Sequence, residues 1–475
     1  MARSEPGPGE QTLEWGTHSD MSEWEGLMWR LDVDPRTRST GALVEILDAA
    51  PDWERLVAAH ERVSLAIPRL RDRVVEPPLP LVPPAFSRDE QFHVENHLSR
   101  MRLTTGTMRE LLDFTAGFLT RPFAPARPPW EGMLVDGLEG GRAAYVLRMH
   151  HSLTDGQGLV QLMSMAHSRT REPGARTEPK PLPPGEHLTP VSLLATRLAR
   201  KALRSPGRMI GRAGNSVALA TRTVTHPAAV VGDGIRFARS LKRVLTPPPA
   251  QRSPLISGKG SRCAVAALEV PLADLKAAGK AGGGSVNDAF LAALLGGFRR
   301  YHEHFGTPID QMPMAIPISL RTADDPAGGN RFAGARFAAP VGEPDPRERI
   351  TAIREFVLGA RDEPAIGFLD ILAPAMARLP RPAVIALAAN MASVSDLQAS
   401  NIPGLGHPVY LAGAEITHTF PFGPRPGVSC MAAMLSYNGK CCVGFNFDPD
   451  AITDIKVFEH CMQEGFDEVL ELRKP

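Results

Sequence analysis

Apolar residues recur along this 475-residue chain with two different spacings. Where they fall every third or fourth position they predict helices with one buried face, and where they run together or alternate between Gly and Pro they predict strands. GALVEILDA (41–49) is a strand-like run. Leu56, Val57, Val63, Leu65 and Ile67 then mark a helix that passes into an extended segment at Pro68. After Gly106, the positions Met108, Leu111, Leu112, Phe114 and Phe118 predict a second helix. A strand from Gly132 to Gly137 turns at Glu139-Gly140-Gly141 into an apolar strand over Ala144, Tyr145, Val146, Leu147 and Met149, which ends at His150 and His151.

The C-terminal half repeats the alternation. CAVAALEVPLADLK (263–276) predicts a strand, followed by a glycine turn at Gly282, Gly283 and Gly284. Ser285 sits at an N-cap with Asp288 three positions on, ahead of Phe290, Leu291, Leu294, Leu295 and Phe298 on one helix face, and that helix stops at Gly306. A glycine-rich turn at a helix start can cradle a phosphate, but GxxxxGK[ST] and the dinucleotide fingerprint are both missing, so the cap is preferred. Asn438-Gly439 predicts a hairpin, and an amphipathic helix follows from about Ile455 to Leu472.

Between the halves the pattern changes. PKPLPPGEHLTP (179–190) and TPPPAQRSP (246–254) have linker composition. From residue 168 to 262 there are eighteen Lys and Arg against four Asp and Glu, a local charge of +14 in a chain whose net charge is +1. Within it Arg197, Arg200, Lys201, Arg204 and Arg208 predict a cationic helix stripe, with Val191, Leu194, Leu198 and Ala202 as the apolar one. Two readings stand: a basic helix on an anionic membrane surface, or a crossover helix with a solvated charged face. The expected organisation is a disordered lead (1–20), an N-terminal lobe (21–170), a basic Pro-rich helical linker (171–254) and a C-terminal lobe (255–475).

Composition narrows the class. Hydrophobic residues make up 43% and charged residues 22%, the balance of a soluble globular protein. No apolar run approaches the roughly 20 residues of a membrane-spanning helix, and the N-terminus has no signal-peptide core. Five cysteines without CxxC spacing predict reduced thiols, a cytoplasmic setting and no zinc site. No nucleic-acid partner is expected.

The chemistry concentrates in HHSLTDG (150–156). Neighbouring histidines on an extended chain face opposite ways, so one can enter a cleft as a base while the other packs or supports. An arbitrary His pair is also compatible with a metal site or a buried hydrogen-bonded pair. Asp155, four residues past His151 and beside Gly156, suits either of two roles: orienting the imidazole or anchoring the loop to a distant arginine.

The string fits HHxxxDG, and the surrounding sequence resembles the bacterial wax ester synthase/diacylglycerol acyltransferase family of the chloramphenicol acetyltransferase-like superfamily. RPPWEGMLVDGLEGGRAAYVLRMHHSLTDG is similar to the family's RPLWxxxLxEGLxGGRxAxxxKxHHAxxDG. The opening SEWEGLMWRLD resembles LSPLDxxFLxxE, with Trp24-Glu25 in place of LD and Asp32 in place of the glutamate. Val286-Asn287-Asp288 matches the family's ND motif, the PISLR segment ending at Arg321 its PVSLR block, and Ser400-Asn401-Ile402-Pro403-Gly404 its SNVPG. Met431 departs from the pattern, standing where the family carries an asparagine.

The resemblance implies an α/β (α+β) fold of two similar lobes enclosing a tunnel. It implies transfer of a long-chain acyl group from the co-substrate acyl-CoA to diacylglycerol or a fatty alcohol, with no bound cofactor, no metal and no covalent intermediate. His151 would be the general base, His150, Asp155 and Gly156 would shape the turn, and Asn287 would be an amide donor near the oxyanion. Arg321 would be a candidate partner for Asp155, with a solvated surface arginine as the other reading, while Asp32, Asp288 and Asn401 would be supporting or substrate-binding positions. Trp130 reads foremost as a packing residue. Peripheral contact with an anionic membrane or lipid droplet would follow from the lipid substrates. Other CoA-dependent acceptors, or a catalytically weak lipid-binding protein, are the alternatives.

Overall fold

A computed structural model describes residues 18–173, 182, 184–203, 250–256, 260–319, 332–361, 368–392 and 394–473. The first seventeen residues, positions 204–249 of the basic segment, and Arg321 lie outside the described residues. The strands of the first half are β1 (Thr40–Leu47), β2 (Asp72–Val75), β3 (Ala85–Arg88), β4 (Leu98–Arg102), β5 (Trp130–Leu138) and β6 (Arg142–His150). Those of the second are β7 (Ala264–Pro271), β8 (Met312–Ser319), β9 (Phe332–Ala339), β10 (Leu397–Ile402), β11 (Tyr410–Leu411), β12 (Ala414–Phe422), β13 (Cys430–Tyr437) and β14 (Lys440–Phe447).

Twelve of them form two six-stranded sheets, ordered β11-β12-β1-β6-β5-β4 and β7-β14-β13-β10-β8-β9, while β2 and β3 pair as a separate antiparallel ribbon. The halves share strands: β12 pairs antiparallel with β1, Ala42 opposite Phe422, so the first sheet is completed from beyond residue 400. This ties the two lobes through main-chain hydrogen bonds as well as packing.

Local sequence explains the helix starts. Ser22 and Glu25 form a capping box on the helix Glu23–Leu31, Asp52 caps Trp53–Ala66, and Ser285 with Asp288 caps Val286–His304. The Asn438-Gly439 turn has φ of 43° and 80°, the left-handed pair that a two-residue hairpin needs. Alternation along β6 fills both sides of its sheet: Tyr145, Leu147 and Met149 join one core with Leu56 and Leu162, while Ala144 and Val146 join another with Leu111 and Phe118. In the second sheet, Met314, Phe337, Leu397, Ala432 and Phe445 pack with Phe290, Leu294 and Phe298 of Val286–His304.

Two expectations change. The strand expected over 263–276 stops at Pro271 and a helix, Leu272–Ala281, begins, because proline at the junction ends pairing and presets a helix entry. The helix over 190–203 is rotated from its expected stripes: Arg197 is only 9% exposed, while Val191 is 70% and Leu198 37% exposed. Arg197 turns inward because Asp20 and Glu186 await it, the latter at 2.6 Å, and Leu193 packs beside Val75 and Val82. All five cysteines are free, and burial holds the Cys263 and Cys442 thiols up at about 11 and that of Cys441 at about 12, so thiolate chemistry at neutral pH is suppressed. Among the described residues no helix is long and apolar enough to cross a membrane.

Candidate active site

β6 ends at His150, and the two histidines part company there. His150 is fully buried, its Nδ1 accepting from the Ser152 backbone N–H at 3.1 Å with the Ser152 hydroxyl at 2.7 Å. That backbone donor requires an unprotonated Nδ1, so the proton of the neutral ring is assigned to Nε2. Nε2 lies 3.4 Å from Asp32 Oδ1, an electrostatic approach longer than a hydrogen bond, and Trp29 packs edge-on against the ring. Asp32 Oδ1 also accepts from the Ser39 N–H at 2.7 Å, and Ser39 in turn accepts through its carbonyl from the His151 N–H at 2.8 Å. Asp32 thus touches the support of both histidines.

His151 turns the other way and lines a cavity of about 380 Å³ between the lobes. Past it, Asp155 starts a helix: it is the N-cap of Gly156–Ala166 and its Oδ1 accepts from the Gly158 N–H at 2.9 Å. The anchoring role expected of Asp155 is filled at least by this cap, and its expected partner Arg321 lies outside the described residues. Gly156 lets the helix approach β10, since a Cβ there would meet Ile402 Cδ1 at 2.9 Å.

The cavity has an apolar side and a mixed side. Trp24, Leu27, Met28 and Leu31 of the first helix face it together with Met376 and Ala388, while Gln398, Ser400, Asn401 and Arg336 bring polar groups from the second sheet. Asp155, Gly156 and Asn401 are therefore brought to the same space as His151, and Met431 is in the wall, 4% exposed. Asn287, the second residue of Val286–His304, is not among the residues that line this cavity. Asp288 is buried in its capping box and pairs with Arg354 at 3.4 Å, a structural post. Trp130 is core, as its packing reading held: 2% exposed, donating from Nε1 to the Leu70 carbonyl at 2.8 Å and stacked on His97.

Ser39, Trp24, Met376 and Arg336 line the cavity without having stood out as site positions in the sequence. Ser39 carried no signal, because its place comes from the register of β1 with β6, where Thr40 pairs with His150. Arg336 did carry one: Gly334 and Arg336 alternate with Ala335 and Phe337, so one face of that strand is not apolar. Among the described residues no cluster of three or more His, Cys, Asp or Glu is placed to hold a metal.

Comparison with known proteins decides the family. A model of the wax ester synthase/diacylglycerol acyltransferase catalytic domain matches residues 21–290, and one of the WS/DGAT C-terminal domain matches residues 328–470. The chain belongs to the wax ester synthase/diacylglycerol acyltransferase family. A Mycobacterium tuberculosis (strain H37Rv) relative, provisionally named a diacylglycerol O-acyltransferase, is 39% identical over 448 residues, 94% of this chain and 90% of the relative. Among solved structures, a Marinobacter aquaeolei VT8 wax ester synthase/diacylglycerol acyltransferase matches with a TM-score of 0.64 at 19% identity, over 95% of this chain and 98% of that one. The first condensation domain of the calcium-dependent antibiotic synthetase matches with a TM-score of 0.58 at 14% identity, over 96% of each chain. The fold is therefore the two-lobed chloramphenicol acetyltransferase-like one, and family membership makes the chain an acyltransferase of the WS/DGAT type.

Proposed function

We propose that this enzyme transfers a long-chain acyl group from coenzyme A to the hydroxyl of diacylglycerol or a fatty alcohol, with His151 as general base. The observation that carries the reading is the placement of His151, at a strand end braced through Ser39 and Asp32, on a cavity with one strongly apolar side. An apolar wall suits an acyl chain, because burying each methylene there is worth about 0.8 kcal/mol. The acceptor oxygen attacks the thioester carbonyl as His151 takes its proton; the C–S bond then breaks and the proton passes to the departing thiolate. Atoms balance without a covalent enzyme intermediate or a bound cofactor. The high thiol pKa values support the absence of an acyl-cysteine. Asp155 and Gly156 hold the turn in this scheme, and Asn287 is given no part in it.

Lipid acceptors also place the reaction at an interface, and we assign peripheral contact with an anionic membrane or droplet surface on the strength of the +14 segment. The test is CoA release from palmitoyl-CoA with diacylglycerol, long-chain alcohol and amine acceptors, wild type beside His151→Ala. Acceptor-dependent release that disappears in the variant supports the reading and names the acceptor. Equal release from both proteins, or an acyl adduct on the enzyme by intact mass, overturns it.

A further inference from the structure

A polar pair interrupts the apolar packing of the first lobe. Leu43 and Leu47 on β1 face the core that holds Leu56, Leu162 and Met163, and Glu45 stands between them on the same strand face. Glu45 is 2% exposed, and His167, 7% exposed, brings its Nε2 to 3.2 Å from the carboxylate. Tyr145 is the cross-strand neighbour of Glu45, and its hydroxyl reaches His60 at 2.5 Å. A cavity of about 30 Å³ lies among the four, room for about one water. Burying such a pair contributes little to stability, since desolvation offsets the attraction, so its use is better sought in the geometry that it fixes.

The pair closes a frame whose opposite corner is the histidine turn. β1 begins just past Ser39, whose carbonyl accepts from the His151 N–H at 2.8 Å, and it reaches Glu45 six residues on. The helix Gly156–Ala166 begins at its cap Asp155, four residues past His151, and ends at its C-cap His167. At about 3.3 Å per strand residue and about 1.5 Å per helical residue, the two struts span roughly 20 and roughly 18 Å, so they meet again where Glu45 faces His167. The packing between them is apolar and non-directional, which lets a helix turn or slide by small amounts. Ser168 and Tyr410 exchange backbone hydrogen bonds at 2.9 Å and hold the chain that leaves the helix, but those bonds do not set which side of the helix faces β1. The contact from Glu45 to His167 does.

We propose that Glu45 and His167 are positioning residues for His151: their contact sets the rotation of the helix Gly156–Ala166 and, through Asp155 and Gly156, the turn that carries the base. The proposal rests on His151 acting as the base, as read above. Gly156 makes the turn sensitive, because even a Cβ there would meet Ile402 Cδ1 at 2.9 Å, and a rotated helix start would press on β10.

The experiment replaces both members, Glu45→Leu with His167→Leu, which continues the apolar stripe of β1 and leaves no unpaired buried charge. Melting temperature, kcat and KM for palmitoyl-CoA are measured, together with amide hydrogen exchange over residues 149–155 by mass spectrometry. The melting temperature is expected at or above that of wild type, with kcat lower by about ten- to hundredfold and KM within about twofold. Exchange over 149–155 should be about tenfold faster. Glu45→Gln keeps a carbonyl for His167 and should retain kcat within about threefold. Wild-type kcat in the double variant, or faster exchange confined to residues 160–168, overturns the proposal, as does a loss in Glu45→Gln equal to that of the double variant. If the double variant does not fold, His167→Gln beside His167→Leu repeats the comparison with the same outcomes. If wild type turns over no thioester, the acyl-transfer reading falls, and exchange still decides the frame: an unchanged rate over 149–155 overturns it.

Discussion

The two sheets meet the cavity in different ways. The first is buried on both faces and reaches the cavity only at a strand end, where β6 delivers His151. The second buries one face against Val286–His304 and turns part of the other to the cavity through Ala315, Gln398, Arg336 and Met431. A strand end can hold one side chain in a fixed orientation, since the turn beyond it is braced separately. A sheet face offers a row of positions with regular spacing, which suits recognition along a substrate. On the proposed reading the base stands at the strand end of one lobe while the other lobe lines the cavity with a sheet face, and substitutions in each should fail differently.

The largest break in that comparison is expected at His151. His151→Ala should lower kcat by about 10²- to 10⁴-fold, the usual worth of a positioned base, with a melting temperature close to wild type because the ring is only half buried. Next in size is Asp32→Ala. It removes the carboxylate that receives the Ser39 N–H and faces His150, loosening the carbonyl that holds the His151 backbone. A fall in kcat of about 10- to 100-fold is expected, and Asp32→Glu should recover part of it.

What was legible in the sequence was local. The cap at Ser285, the Asn438-Gly439 hairpin and the strand leading to His150 each depend on a few neighbouring residues, and the structure has them. Asp155-Gly156 was half legible: aspartate favours both a turn and an N-cap, and only the helix after it decides. The cavity was not legible, because its wall joins the first helix, the end of β6 and four strands of another sheet. Asn287 marks a real helix start, and the residues lining the cavity do not include it. Arg197 shows a related limit: stripe counting puts every arginine outside, and a pair of acids beyond its helix draws this one in.

The lobes should also differ in how acid is sensed. His60 is buried in the first lobe, its Nε2 facing the Tyr145 hydroxyl at 2.5 Å and its Nδ1 the Leu56 carbonyl at 2.8 Å, with the Glu45–His167 pair nearby. Burial pushes its pKa down from 6.5 to about 4. The unfolded chain therefore binds the proton first, so the stabilising effect of a neutral His60 is complete above pH about 6.5 and is lost as pH falls toward 4, up to about 3 kcal/mol. Burial shifts His302 of the second lobe in the same direction. His60→Gln should flatten the pH dependence of unfolding over that window, read by tryptophan fluorescence, because all five tryptophans precede residue 131. An unchanged slope would assign the acid sensitivity to other buried groups, His97 of the first lobe and His302 of the second among them, which burial shifts in the same direction.

The smallest expected effect falls on Trp130, where position in a family motif and physical role separate most clearly. Its ring is sealed in the first lobe between His97 and the Leu70 carbonyl, away from the wall that His151 shares. Trp130→Phe keeps an aromatic face for His97 but leaves the Leu70 carbonyl without this donor, so a loss of about 1 to 2 kcal/mol in unfolding free energy is expected. Because neither the strand end nor the second-sheet wall moves with that bond, kcat and KM should stay within about twofold, well under the 1.4 kcal/mol that a tenfold change requires. A KM shift for palmitoyl-CoA in Trp130→Phe would mean that the first lobe's interior also shapes the cavity, and the contrast between strand end and sheet face would not hold.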